Sequence, residues 1–328
     1  MGIDSKTSLG LALAVLLALA GCDNEDPPPT DAGVETDAAM QDAAMAIDAG
    51  GPSELRSVSL TQTGLETLTG GAHYEGWAII DGAPVSFGKF NIDASDTVVR
   101  LDGTAYPDGI LEAGRDLRDA TELVITIEGP GDVDITPSDT HYLAGVLDMD
   151  AAELTVMGGT ESLGVTFAGV SGTYGLATPT DGPDSNERSG VWFVDFTAPP
   201  AASLTMPTLP AGWAYEGWVV IGGTPISTGR FTQTDMADDA APFSGAMPGP
   251  PVPGEDLLEN APTGLAFPVD LRSARVVISV EPEPDADPAP FTLKPFVADI
   301  PSDAADHTGY PIAGSDDGTP TISITLVE

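Results

Sequence analysis

The sequence predicts an all-β chain that contains two tandem immunoglobulin-like antiparallel β-sandwich domains. Strand signals are short and frequent, and they alternate between apolar and polar residues. Clusters of Pro, Gly and Asp separate them, as turns require. One motif also occurs twice, as YEGWAIIDGAPVSFGKF from Tyr74 and as YEGWVVIGGTPISTGRF from Tyr215. Of 24 positions aligned from Thr67 and Thr208, 13 are identical at a constant offset of 141. Two copies of a strand pattern predict two sandwiches.

The chain begins with residues typical of a lipoprotein signal peptide, predicted over 1–21. Its apolar run, Leu9–Ala20, is shorter than the roughly 20 residues that span a bilayer, so it favours a removable signal. The run ends in Leu-Ala-Gly-Cys, which resembles the lipobox of bacterial lipoproteins. We therefore expect lipidation of Cys22, the only cysteine of the chain, and attachment to a membrane of the bacterial cell envelope. An ordinary secretory signal with an incidental cysteine is the alternative.

The extracytoplasmic side of the envelope, periplasmic or at the cell surface, is the predicted location. Asp23 resembles the inner-membrane retention signal of enteric lipoproteins, a rule that other bacterial groups do not follow, so the choice between inner and outer membrane stays open. Residues 22–53 then form a predicted disordered acidic linker, rich in Asp, Ala and Pro and without an aromatic residue. A flexible tether of this length reaches roughly 30 Å.

The charge of the chain excludes one class of partner. With 51 acidic and 11 basic residues, the formal net charge is −40. Such a chain repels the phosphates of nucleic acid and of anionic lipid headgroups, so we expect no nucleic-acid partner.

The repeat divides the globular part into predicted domains at 54–178 and 179–328. The main strand signals of the first are 57–61, 73–80, 84–92, 121–128 and 152–156. Those of the second are 214–221, 225–231, 274–281 and 320–327. The strand signal at 189–196 fits either domain. Because each domain has its own strand set, we expect two separable bodies, with proteolytic cleavage near 184–188.

The repeated motif predicts a β-hairpin. Asp81-Gly82 and Gly222-Gly223 suit a two-residue turn that needs positive φ. Such a turn pairs Trp77 with Ser86 and Glu75 with Gly88, which places Glu75, Trp77, Gly88 and Phe90 on one face. A register slip of one residue would instead bring Glu75 to Lys89, where an ion pair can form.

The conserved pattern of the two copies marks ten residues as core or interface candidates. We interpret Trp77 and Trp218 as equivalent core anchors, and a recognition surface is the alternative. A carboxylate beside a core tryptophan needs a hydrogen-bond partner or a place at the sheet margin. The candidates are Tyr74, Glu75, Trp77, Gly88, Phe90, Tyr215, Glu216, Trp218, Gly229 and Phe231.

These motifs resemble the extracytoplasmic domain of anti-sigma-K factors. That domain combines a Tyr-x-x-Trp strand, a Gly-x-Pro-Val-Ser-x-Gly-x-Phe return strand and a later Val-x-Val-Glu-Pro strand. Both copies fit over about 60–158 and 204–328, with Glu128 and Glu281 closing the later element, although Gly129 replaces the proline in the first copy. The resemblance implies a fold and an extracytoplasmic place. The cytoplasmic sigma-binding domain has no counterpart here, so we expect no direct binding of a sigma factor.

No catalytic constellation is evident, and the sequence favours a non-enzymatic protein. The three histidines form no His-x-x-x-His pair, and the sole cysteine is assigned to lipidation. We predict protein interaction with an unknown envelope partner, or envelope sensing and regulation by analogy with anti-sigma-K factors. A cell-surface adhesin or carbohydrate-binding module, with Trp213 as the best exposed aromatic, is one alternative. A Ca²⁺-stabilised structural module is another, although no acidic cluster follows the spacing of a calcium loop, so no metal site or cofactor is assigned.

Overall fold

β-Strands and loops make up nearly all of the described chain, which confirms the all-β prediction. The computed structural model describes residues 54–182, 185–197, 200–285 and 287–328. These residues belong to one compact unit covering 51–328. The predicted signal peptide, Cys22 and the acidic linker lie outside them. Among the described residues, no helix has the length and hydropathy needed to cross a membrane.

The part of the chain that contains the first motif copy has nine strands and a 3-10 turn at Pro107–Gly109. The strands are β1 Ser57–Thr63, β2 His73–Ile80, β3 Ala83–Ile92, β4 Val98–Val99, β5 Ile110–Glu112, β6 Ala120–Glu128, β7 His141–Val146, β8 Ala151–Leu154 and β9 Ser171–Leu176.

Ten further strands follow around the second copy. They are β10 Gly190–Trp192, β11 Val194–Asp195, β12 Ala201–Ala202, β13 Trp213–Ile221, β14 Thr224–Phe231, β15 Gly254–Asp256, β16 Arg275–Pro282, β17 Phe296–Asp299, β18 Tyr310–Ala313 and β19 Thr321–Val327.

The strands pair into two equivalent sets of antiparallel sheets. The first copy builds the order β4-β3-β2-β6-β7, and the second builds β14-β13-β16-β17. Each is accompanied by a four-stranded sheet, of order β5-β1-β19-β8 or β15-β10-β9-β18. The strand signal at 189–196 therefore supplies β10 to the second set, and β11 pairs separately with β12. The immunoglobulin-like topology stays a prediction.

The two sets exchange their last strands. β9 follows β8 in the chain but pairs with β10 and β18. β19 follows β18 but pairs with β1 and β8, in a register that aligns Leu60 with Ile324. The predicted boundary between 54–178 and 179–328 therefore separates the copies of the motif but not the sheets. Each set contains one strand from the other copy, and this reciprocal exchange opposes their separation into independent bodies.

The main apolar core includes the exchanged strand β19. Val58 and Leu60 of β1 are buried with Ile322, Ile324 and Leu326 of β19, because alternate side chains of paired strands point to the same side of a sheet. The same contiguous cluster includes buried residues of β13 and β16. Apolar burial therefore links both copies and is the main stabilising contribution to the exchanged arrangement.

Candidate functional site

Both repeated hairpins contain a β-bulge that decides which side chains meet. The turn residues Asp81 and Gly82 have φ of 54° and 75°, as the predicted turn requires. Trp77 pairs with Ser86 as expected, but the register then shifts and Glu75 pairs with Lys89 instead of Gly88. An extra residue on β3 causes the shift, and Gly88 adopts a φ of 134° beside it.

The bulge corrects the predicted face of the hairpin. Tyr74 and Phe90 stack at 5.4 Å between ring centroids and lie in the main core. Trp77 is buried in a separate small cluster with Val124 and Ala144. Phe90 and Trp77 therefore do not share a face, because the inserted residue inverts the alternation along β3. Tyr215 and Phe231 stack in the same way in the second copy.

Glu75 is the centre of a buried polar group on the side of the hairpin opposite the main core. Its Oε1 accepts a hydrogen bond of 2.5 Å from Ser86 Oγ, and its Oε2 lies 3.3 Å from Lys89 Nζ. Lys89 Nζ also donates to Asp132 Oδ2 at 2.5 Å. Burial raises the pKa of Glu75, whereas the hydrogen bond from Lys89 lowers the pKa of Asp132. The carboxylate that the sequence placed beside a tryptophan thus has both a hydroxyl and a cation as partners.

The second copy repeats this group with an arginine. Ser227 Oγ donates to Glu216 Oε1, and Arg230 Nε lies 3.6 Å from Glu216 Oε2. Arg230 Nη2 also forms an ion pair with Glu283, as Lys89 does with Asp132 in the first copy. As in the first copy, burial raises the pKa of the central glutamate, Glu216. Gly229 supplies the bulge with a φ of 109°.

The tryptophans lead into a second repeated network. Trp77 Nε1 donates to Thr126 Oγ1 at 2.9 Å, and that hydroxyl donates to Glu128. Glu128 also accepts the backbone N–H of Ser138 at 3.1 Å. This chain ties the tryptophan of β2 to the loop that follows β6.

The second tryptophan forms the same chain of contacts. Trp218 Nε1 donates to Ser279 Oγ at 2.7 Å, Ser279 donates to Glu281, and Glu281 accepts the N–H of Phe291 at 2.9 Å. Burial raises the pKa of Glu281 to about 8. In each copy the repeated Glu, Ser and Trp of the motif therefore take part in buried polar networks, and the tryptophan network ends at one glutamate on the neighbouring strand.

All four tryptophans of the chain are buried. Trp213, expected to be the best exposed aromatic, is only 3% exposed. Its Nε1 donates to the carbonyl of His141 at 2.9 Å, and its ring packs on Tyr142 and Phe291. Ala72 stands at the equivalent position in the first copy. Trp192 is also buried, with its Nε1 bonded to Asp256.

A cavity of about 320 Å³ lies where the copies meet. One wall comes from residues near Leu68 and Ile127, and the other comes from Pro282–Asp285, Asp287 and Phe291. A hydrogen bond of 2.7 Å from Thr69 Oγ1 to Asp287 Oδ2 connects the two walls. The cavity is thus a joint product of both copies.

Carboxylates surround this apolar cavity. Five acidic side chains line it, and the described lining residues include no Lys, Arg or His: Glu66, Glu128, Glu283, Asp285 and Asp287. Burial raises the pKa of Glu66 to about 7, a shift opposed by Lys294 and reinforced by Asp287. An apolar wall with acidic groups suits a ligand that carries a positive charge on a hydrophobic stem.

Sequence reasoning did not identify this cavity. It also did not identify a second feature, the cluster of His73, Glu75 and Asp132. The first depends on residues far apart in the chain, which no local pattern connects. The second had one local signal: His73 and Glu75 are two residues apart on a strand, so both point to the same side. Asp132, which completes the group, comes from the loop after β6.

No protein-family model, curated protein or solved structure matches this chain. The resemblance to anti-sigma-K factors therefore rests on the motif residues of the sequence alone.

Proposed function

We propose that this chain is a lipid-anchored, extracytoplasmic, non-enzymatic protein that binds a protein partner in the bacterial cell envelope. The observation that carries the proposal is the lipobox Leu19-Ala20-Gly21-Cys22, followed by an acidic linker and then by one compact unit. A tether before a single body presents a binding surface away from the membrane. The resemblance to the extracytoplasmic domain of anti-sigma-K factors supports a role in sensing or regulation by analogy alone.

The repeated networks support a structural use of the motif. Glu75 and Glu216 are held by a serine and a cation, and Trp77 and Trp218 each donate to a hydroxyl. These contacts hold the strands of each hairpin in place and fix their side chains. The binding surface of the proposal is therefore placed at the cavity between the copies.

The chemistry of that cavity favours a basic side chain of the partner. Its acidic lining complements an arginine or lysine, whose apolar stem fits against Leu68, Ile127 and Phe291. The carbohydrate-binding alternative is less favoured because burial of the tryptophans removes the aromatic platform that it requires.

Membrane attachment is tested by fractionation and by labelling with an alkyne fatty acid. Cys22→Ser is expected to lose the label and to leave the membrane fraction. Asp23→Asn keeps the cysteine and serves as the matched control; it should stay labelled, and its distribution between the two membranes tests the retention signal. A Cys22→Ser protein that remains in the membrane fraction would count against the anchor.

The cavity is tested with N-acetyl-arginine amide as the probe. Asp287→Asn and Glu283→Gln should weaken its binding several-fold, and added salt should weaken binding to the parent protein. Asp303→Asn, an exposed acid outside the cavity, is the control for net charge and should bind as the parent does. Equal binding by all these proteins would refute the cavity as the site of a basic group.

A further inference from the structure

A histidine and two carboxylates converge in the first copy. One imidazole nitrogen of His73, one oxygen of Glu75 and one oxygen of Asp132 all lie within 4.8 Å of one another. His73 and Glu75 come from β2, which directs both to the side opposite the main core, and Asp132 comes from the loop after β6. Two separate segments of the chain therefore bring the three groups together.

The imidazole has an unused nitrogen in this group. His73 is only 2% exposed, and its Nε2 has no hydrogen-bond partner among the described residues. Its Nδ1 lies 3.5 Å from the carbonyl of Gly71, which is the contact that orients a histidine for coordination through Nε2. Glu75 Oε2 accepts no hydrogen bond within the described chain, and the Lys89 ammonium contacts it at 3.3 Å as an ion pair. A buried polar atom without a partner is uncommon and points to an additional bound group.

The donor set distinguishes between cations. One imidazole and two carboxylates match the ligands of Zn²⁺, which takes three protein ligands and leaves a fourth position for water. Ca²⁺ takes six to eight oxygen ligands, so an imidazole and two carboxylates do not suit it. The group thus fits a divalent transition metal better than the calcium expected as an alternative from the sequence.

Lys89 competes for the same carboxylates. Its ammonium lies 3.3 Å from Glu75 Oε2 and 2.5 Å from Asp132 Oδ2. A metal ion therefore has to displace the ammonium, which moves readily because the lysine stem is flexible and partly exposed. The second copy has Ala214 where the first has His73 and an arginine where it has Lys89. It therefore brings two carboxylates, Glu216 and Glu283, to one cation without supplying an imidazole.

We propose that the first copy binds one Zn²⁺ ion through His73, Glu75 and Asp132, in exchange for the ammonium of Lys89. The second copy does not bind the ion in this way, so the site distinguishes the two copies. The loop after β6 that carries Asp132 also lines the cavity between the copies.

Titration of the full chain with Zn²⁺ against a chromophoric chelator tests the site. The chain carries Cys22→Ser so that its only thiol does not bind the metal. One equivalent is expected to bind, and Co²⁺ in its place should give the visible absorption of a four-coordinate site. His73→Gln should remove this equivalent and the cobalt spectrum while far-UV circular dichroism stays unchanged. Lys89→Met should raise the affinity about tenfold or more, because it removes the competing cation.

Two results would overturn the proposal. One is binding of Zn²⁺ by His73→Gln with the parent affinity, which would assign the metal to scattered surface carboxylates. The other is the absence of any stoichiometric binding by a Lys89→Met protein whose far-UV circular dichroism matches that of the parent. Ala214→His supplies the converse control, because it adds an imidazole next to Glu216 while Arg230 still occupies the carboxylates, and it should not gain a second equivalent.

Discussion

Replacement of Ile324 by alanine tests the exchange of strands between the two copies. Ile324 lies on β19, at the end of the second copy, yet it is aligned with Leu60 of β1 and Ala152 of β8. It is 2% exposed in the main core. Truncation of a buried isoleucine typically costs about 2 to 5 kcal/mol. Because Ile324 is held between two strands that restrict collapse of the space, we expect the upper part of this range, about 3 to 5 kcal/mol.

The informative result is which strands lose stability in the Ile324→Ala protein. Denaturant melts give the change in the free energy of unfolding, and hydrogen exchange followed by mass spectrometry locates it. Ile324→Ala should reduce protection of Ser57–Thr63, which is distant in sequence but adjacent in the sheet. Thr325→Ala, on the exposed side of the same strand, is the control and should change stability by less than about 0.5 kcal/mol. Unchanged protection of β1 in the Ile324→Ala protein would refute the exchange.

Three further predictions concern the repeated hairpins and the neighbouring strand β16. Gly76→Ala should destabilise the protein by about 1 to 3 kcal/mol in thermal melts, because an added Cβ would lie 1.9 Å from the ring of Phe87. Gly82→Ala is the control. Its added Cβ meets no other atom but its φ is 75°, so it should cost only the backbone strain of about 1 kcal/mol. Trp218→Phe should cost about 1 to 3 kcal/mol by leaving Ser279 without its indole donor, and a melt equal to that of the parent would contradict this role. Burial raises the pKa of Glu281 from 4.5 to about 8, so the folded state binds the proton more tightly. This contribution to stability is complete below pH 4.5 and is lost as pH rises to about 8. Glu281→Gln should therefore flatten the decline of the free energy of unfolding between pH 4.5 and about 8. At pH 8 the variant should be more stable than the parent by on the order of a few kcal/mol. If the free energy of unfolding of the variant falls with pH as steeply as that of the parent, another group causes the decline.

Local patterns were sufficient for the strands and the hairpin turns. Alternation of apolar and polar residues predicted β2, β3, β13, β14 and β16 close to their observed bounds. Successive side chains of a strand point to opposite faces, so neighbouring residues alone show the pattern. The turn at Asp81-Gly82 was predictable for the same reason, since positive φ at two adjacent residues restricts residue type. The all-β class followed directly from these elements.

Local residue patterns did not predict the β-bulge in β3. An ideal two-residue turn pairs Glu75 with Gly88, and only the insertion in β3 brings Glu75 to Lys89. A bulge forms when packing on both sides of the sheet is better with one extra residue, and that packing involves Leu111 next to Gly88 and Phe87 over Gly76. Contacts between distant segments therefore decided which face each conserved residue occupies.

By itself the sequence determined the all-β class, the twofold repeat, the turn positions and the strongly acidic charge, because each is encoded in adjacent residues or in composition. Only the tertiary structure decided that β9 and β19 are exchanged, that Trp213 is buried between the copies, and that His73 meets Asp132. Either copy offers the same edges and the same apolar faces to a final strand, so local sequence does not specify the partner. The choice depends on which connection lets the chain bury Ile322, Ile324 and Leu326 against β1, and that is a property of the whole folded unit.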